Sequence, residues 1–160
     1  MNARSKFALI LASLAIAIPQ GVSAAAAPNA ELWNGTWHLN AAKSKFTSIA
    51  KEQSETRTYD ISGNMVTMKS SSKDPSGKVL NFSYSAGYDG KWYPMIGNPN
   101  ANRISMIAVS PRVLKASSQL HGKPSVASTT TVSTDGKHLV VKRKMLRMKG
   151  APTDVLEFNR

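Results

Sequence analysis

Between Val79 and Tyr88 the chain alternates. Leu80, Phe82, Tyr84, Ala86 and Tyr88 hold one phase, and Val79, Asn81, Ser83 and Ser85 hold the other. Period two is the pattern of a half-buried strand. Ile104, Met106 and Ala108 repeat it, as do Leu139, Val141, Arg143 and Met145. Ser125 to Ser133 is rich in Thr, Val and Ser, which favours strand over helix. After the first two dozen residues no window carries a clean helical stripe. Only short helical candidates remain, at Ala41–Phe46 and Ile49–Gln53.

Turn residues punctuate the strands. Ser62-Gly63-Asn64, Asp74-Pro75-Ser76-Gly77, Asp89-Gly90, Gly97-Asn98-Pro99-Asn100, His121-Gly122, Asp135-Gly136 and Lys149-Gly150 fall between the alternating runs. Glycine supplies the positive φ of tight hairpins, and Asp and Asn tolerate it. The runs predict eight to ten strands, near 34–39, 53–61, 64–71, 78–88, 91–95, 102–109, 112–120, 124–133, 138–147 and 153–159. Strands joined by short turns pair with their neighbours, and closing so many into one sheet removes its edges. The expected fold is therefore all-β: an antiparallel up-and-down meander barrel.

The N-terminus differs from everything after it. Arg4 and Lys6 precede an uncharged run from Phe7 to Ile18, a break at Pro19, and Val22-Ser23-Ala24. This is the pattern of a cleavable secretion signal cut after Ala24, and the apolar run falls short of the roughly 20 residues of a spanning helix. The expected organisation is a signal helix over 1–24, a disordered leader over 25–31 and one barrel domain over 32–160. The product is expected in the periplasm or outside the cell, and not as an integral membrane protein. With no cysteine in the chain, neither disulfides nor thiolate metal sites are available.

Charge adds a class of partner. Taking Arg4 and Lys6 from the 21 basic residues leaves 19 against 9 acidic ones, a balance of +10. Such a balance favours anionic surfaces and also keeps copies apart. Lys142, Lys144, Arg147 and Lys149 concentrate it near one late turn and are candidates for binding an anionic envelope surface. No nucleic-acid motif accompanies them.

Gly35-Thr36-Trp37, Leu39-Asn40 and Lys43-Ser44-Lys45-Phe46 form an ordered set with Tyr88-Asp89-Gly90-Lys91, Tyr93-Pro94 and Ser133-Thr134-Asp135-Gly136-Lys137. This set resembles bacterial secreted lipocalin-like proteins of the calycin type. The resemblance implies a barrel whose narrow end is closed by Gly35 and Trp37, with a basic side chain, Arg160 or Arg143, stacked over the indole. It lends a fold rather than a defined activity. One departure stands out: fatty-acid-binding barrels carry an Arg-x-Tyr pair on the last strand, and here that strand reads Val155-Leu156-Glu157-Phe158-Asn159-Arg160.

Candidate chemistry is sparse. His38, His121 and His138 lack metal-ligand spacing, and Met65/Met68 and Met145/Met148, three apart on strands, point to opposite faces. No nucleophile elbow, phosphate loop or zinc-protease motif is present. We expect no metal, no cofactor and no enzyme. Arg143 shares a strand face with Leu139, Val141 and Met145, and Arg57 shares one with Glu55 and Tyr59. If those faces look inward, Arg143, Arg57, Tyr59, Tyr84 and Phe82 line a site for a hydrophobic or amphipathic ligand, its acidic head on the arginines. The alternative for Arg143 is a charged edge strand that blocks aggregation.

Overall fold

The computed structural model describes residues 26–48 and 52–160. The signal segment over 1–24 and most of the helical candidate at 49–53 lie outside the described residues. A short helix, α1 (Ala30–Trp33), leads into ten strands. These are β1 (Gly35–Leu39), β2 (Ser54–Ser62), β3 (Met65–Lys73), β4 (Val79–Gly87), β5 (Asp89–Ile96), β6 (Arg103–Ser110), β7 (Val113–Leu120), β8 (Lys123–Val132), β9 (His138–Met145) and β10 (Thr153–Asn159). Each strand pairs antiparallel with the next, and β10 returns to β1, so the sheet is a closed barrel. The all-β meander barrel read from the alternation is the observed fold, at the upper end of the expected strand count. Among the described residues no helix is long and apolar enough to cross a membrane.

Two local expectations give way. The disordered leader over 25–31 runs into ordered chain: Pro28 is buried, the Asn29 amide donates to the Pro111 carbonyl at 2.9 Å, and the Asn29 side chain caps α1 by accepting from the Glu31 amide. The reason is Trp33. It is fully buried, and its indole N–H donates to the same Pro111 carbonyl at 2.9 Å, which ties the segment down. Residues 41–43 form a turn rather than a helix, and Lys45 then bridges Val155 of β10. Here the backbone groups serve the sheet, and β10 gains a partner beyond the end of β1.

Positive φ is needed where turns approach other strands. Gly97 sits at φ 83°, and a Cβ there would lie 2.3 Å from the Asn81 carbonyl, so only glycine fits. Gly35, at φ 130°, opens β1 beneath the Arg160 guanidinium.

The inward phase of the strands fills one end of the barrel. Trp33, Trp37, Ile61, Val66, Leu139 and Phe158 belong to this core. Trp37 donates its indole N–H to the Trp33 carbonyl at 3.0 Å, and the Arg160 guanidinium lies 4.4 Å over its ring. Arg160 also donates to the Leu32 carbonyl. Of the two basic residues expected over Trp37, Arg160 fills the role.

Truncating Trp37 to alanine should cost about 3–5 kcal/mol, as for other buried tryptophans. Arg160→Ala should cost less, about 0.5–2 kcal/mol for the cation–π contact. Urea midpoints measure both, and an unchanged midpoint for Arg160→Ala would remove the lid role from that residue.

Candidate functional site

The filled end stops at Phe158. The Arg57 guanidinium stacks 4.8 Å above its ring, and on the other side of Arg57 the barrel is hollow. The cavity holds about 220 Å³. Its apolar wall includes Met68, Phe82, Met95, Ile104, Met106 and Leu114, and its polar wall includes Tyr59, Tyr84, Ser118, Ser128, Glu52 and Arg143. It opens toward the loop that follows β1, at Ser48 and Asn100. A second space of about 290 Å³ adjoins there, with Ser48, Asn100, Val126 and Met145 in both walls.

All five residues expected to line a ligand site, Arg57, Tyr59, Phe82, Tyr84 and Arg143, meet in this wall. Strand phase puts them there. Glu55, Arg57, Tyr59 and Ile61 alternate inward on β2, and Leu139, Val141 and Arg143 do so on β9. Because the barrel is closed, β9 is flanked by β8 and β10, so Arg143 is not on an edge strand.

Each arginine already holds a carboxylate of the chain. Arg57 Nε donates to Glu55 Oε1 at 2.6 Å, and the same oxygen accepts from the Ser70 hydroxyl at 2.6 Å. Arg143 Nε donates to Asp154 Oδ2 at 3.1 Å, and its Nη1 donates to Glu52 Oε1 at 3.0 Å. An inward guanidinium in an apolar barrel needs partners, because an uncompensated buried charge costs several kcal/mol. Here the chain itself supplies them, so neither guanidinium is an uncompensated charge.

Asp154 is the most heavily used of these carboxylates. It is fully buried and accepts from the Thr47 and Ser48 amides, from both their hydroxyls and from Arg143. Burial pushes its pKa up, but these donors outweigh burial and hold it below the ordinary carboxylate value. For Glu55, burial is likewise overcome, by Arg57 and then Ser70, and its pKa is lowered. Arg57 is disfavoured by burial, yet Glu55 holds its pKa above the ordinary value, so it stays charged. Glu52 goes the other way: burial raises its pKa, and Arg143 offsets this only in part. Among the described residues its Oε2 is buried with no partner, as is Oε2 of Glu55. Burial beside Tyr59 pushes the Tyr84 hydroxyl well above its usual value, so it remains a neutral donor.

Glu52 and Asp154 were not singled out in the sequence. Asp154 did leave a signal, since it holds the inward phase with Leu156 and Phe158. Glu52 precedes β2 and left none.

The four basic residues near the late turn divide. Lys142 and Lys144 point outward from β9, Arg147 lies beside the barrel mouth, and Lys149 is in the turn. Cross-strand register extends the outer group: Ile107, Lys115, Thr129, Lys142 and Val155 form one row, which Lys45 continues. A groove of about 460 Å³ lies on this outer wall, lined by Lys115, Lys142, Lys144 and small side chains. It is larger than the interior cavity but open to water, so it cannot desolvate a ligand as the interior can. Among the described residues none of these lysines is in an ion pair. Nor does any group of three His, Asp or Glu there stand ready to hold a metal.

Compared with protein-family models, with curated proteins and with solved structures, the chain matches none. What defines it is the fold and the site: a closed ten-stranded antiparallel barrel, packed at the Trp37 end and hollow at the other, with an ionic layer in its wall.

Acid should unfold the protein through Asp154 and Glu55. Their folded pKa values are depressed, so the stability they give is present above the unfolded values of 3.8 and 4.5 and is lost as pH falls through the folded ones. Asp154→Asn should cost about 3 kcal/mol at neutral pH, because it strips Arg143 and the loop amides of their acceptor. The variant should also lose less stability between neutral pH and pH about 3 than the parent does. Denaturant titrations across pH measure this, and parallel curves for parent and variant would contradict it.

Proposed function

We propose that the protein is an exported, lipocalin-like binding barrel that holds a small hydrophobic or amphipathic molecule in its hollow half. The observation that carries the reading is the partly open interior cavity of about 220 Å³, whose wall is more apolar than polar and brings hydroxyl, amide, carboxylate and guanidinium groups to one space. Ligand sites have that composition. Its volume is below the roughly 300–1,000 Å³ of drug-sized sites, which favours a compact ligand. The N-terminal charge, apolar run and small-residue break support export. An enzymatic reading gains a group with a raised pKa in Glu52. It lacks a free partner, because Asp154 and one oxygen of Glu55 are engaged by arginine and hydroxyl donors.

Native mass spectrometry of the protein purified from its own compartment tests the binding reading. The expected result is a discrete added mass that departs on extraction with organic solvent. Ala116→Phe, which fills the cavity wall, should abolish uptake of an apolar fluorescent probe while leaving the barrel's circular dichroism unchanged. A bare chain that also takes up no probe would overturn the reading.

A second reading rests on the outer row of Lys45, Lys115 and Lys142 with Lys144 beside it: association with an anionic envelope surface. It predicts retention on vesicles containing phosphatidylglycerol that weakens as salt rises and falls further in Lys142→Glu/Lys144→Glu. Retention indifferent to salt and to the double variant would exclude it.

A further inference from the structure

Three carboxylates and two guanidinium groups make up the ionic layer of the barrel. Glu55 faces Arg57 from the same strand, and Arg143 lies between Glu52 and Asp154. With all five ionised the layer carries one negative charge too many. The excess has an address. Glu52 lines the cavity, its Oε1 takes Arg143, and its Oε2 is buried with no partner among the described residues. Arg57 holds Glu55 through its Nε and is further pinned on the Phe158 ring, and Arg143 holds Asp154 and Glu52 through Nε and Nη1. Glu55 Oε2 is also without a partner but outside the cavity wall, and a third such group sits where the cavity meets the mouth: Ser125 is 3 % exposed and its hydroxyl oxygen has no partner among the described residues, beside a space whose wall it shares with Ser48 and Asn100.

A buried polar atom without a partner has given up its hydrogen bonds to water for nothing, at a greater cost if it is charged. A ligand that donates a hydrogen bond to Glu52 recovers that cost, and a cation also balances the layer. A carboxylate would do the reverse, adding a second excess charge beside Glu52.

We infer that the cavity selects a compact amphipath with a cationic, hydrogen-bond-donating head, of the primary ammonium class, which Glu52 receives through its unpartnered oxygen. The inference rests on the cavity-binding reading and goes beyond it by naming the head group. Among the described residues, the charges facing Glu52 are Arg143 from β9 and Glu55 and Arg57 from β2, with Asp154 of β10 behind Arg143. Arg147 at the mouth is exposed and works against a cation, but across solvent, where salt screens it. Without ligand, a proton on Glu52 serves the same balance. The ammonium head therefore competes with that proton, and binding should strengthen as pH rises from 4.5 through the raised pKa of Glu52.

The test uses three probes with one apolar body: hexylammonium, 1-hexanol and hexanoate. Calorimetry on the whole mature chain should find hexylammonium at least about tenfold tighter than hexanoate at neutral pH. Hexanol should fall between them, and hexylammonium affinity should rise with pH. Glu52→Gln, equal in size, should erase the preference for hexylammonium and its pH dependence while hexanol still binds. The pH series on the parent protein needs no variant, so a poorly folding Glu52→Gln would not shield the inference. If hexanol binds but hexanoate matches or exceeds hexylammonium, cavity binding stands and this head-group assignment falls. If none of the three enters, the cavity reading and this inference fail together.

Discussion

The seam between the first and last strands is the constraint on which the barrel depends. β9 and β10 pair over seven residues, but β1 and β10 pair over two, His38 with Asn159 and Leu39 with Phe158. Two rungs leave most of β10 without a partner on that side. The loop after β1 completes the ladder. The Ser44 hydroxyl accepts from the Glu157 amide, Lys45 exchanges backbone bonds with Val155, and Thr47 and Ser48 converge on the Asp154 carboxylate. Asp154 thus closes the sheet with one set of contacts and holds Arg143 with another. The fold and the cavity wall share a carboxylate, so neither can be altered there without the other.

This shared residue explains which features the sequence revealed. Strand positions were legible because alternation and turn chemistry are local: the Leu80-Phe82-Tyr84 phase and the glycine turns needed no knowledge of distant chain. The inward direction of Arg57 and Arg143 followed from the same periodicity, and so did the company of Glu55. The partners of Arg143 did not. Asp154 is 11 residues away and Glu52 is 91. Local pattern says that an inward arginine needs an acceptor, but not which one, so a ligand's acid group was the natural guess. Nor did composition foretell α1, because a low-complexity stretch becomes ordered once a single indole, Trp33, finds a buried acceptor at Pro111.

The ionic layer makes sense only in relation to the space above it. Well-packed apolar residues often match or exceed the stability of a buried ion pair of similar volume. A barrel shaped by stability alone would continue the Trp37–Phe158 core upward and leave no cavity. Here Arg57 covers the last ring of that core, and beyond it the wall turns to tyrosine, serine, glutamate and arginine lining an unfilled volume. The arginines are held in place by Asp154 and by Glu55, which Ser70 in turn anchors. Among the described residues Glu52 and Glu55 each keep one carboxylate oxygen without a partner, and of the two it is Glu52 that lines the cavity. Charge counting gives the layer one carboxylate more than its two guanidinium groups, and Glu52 brings that charge to the edge of the unfilled volume.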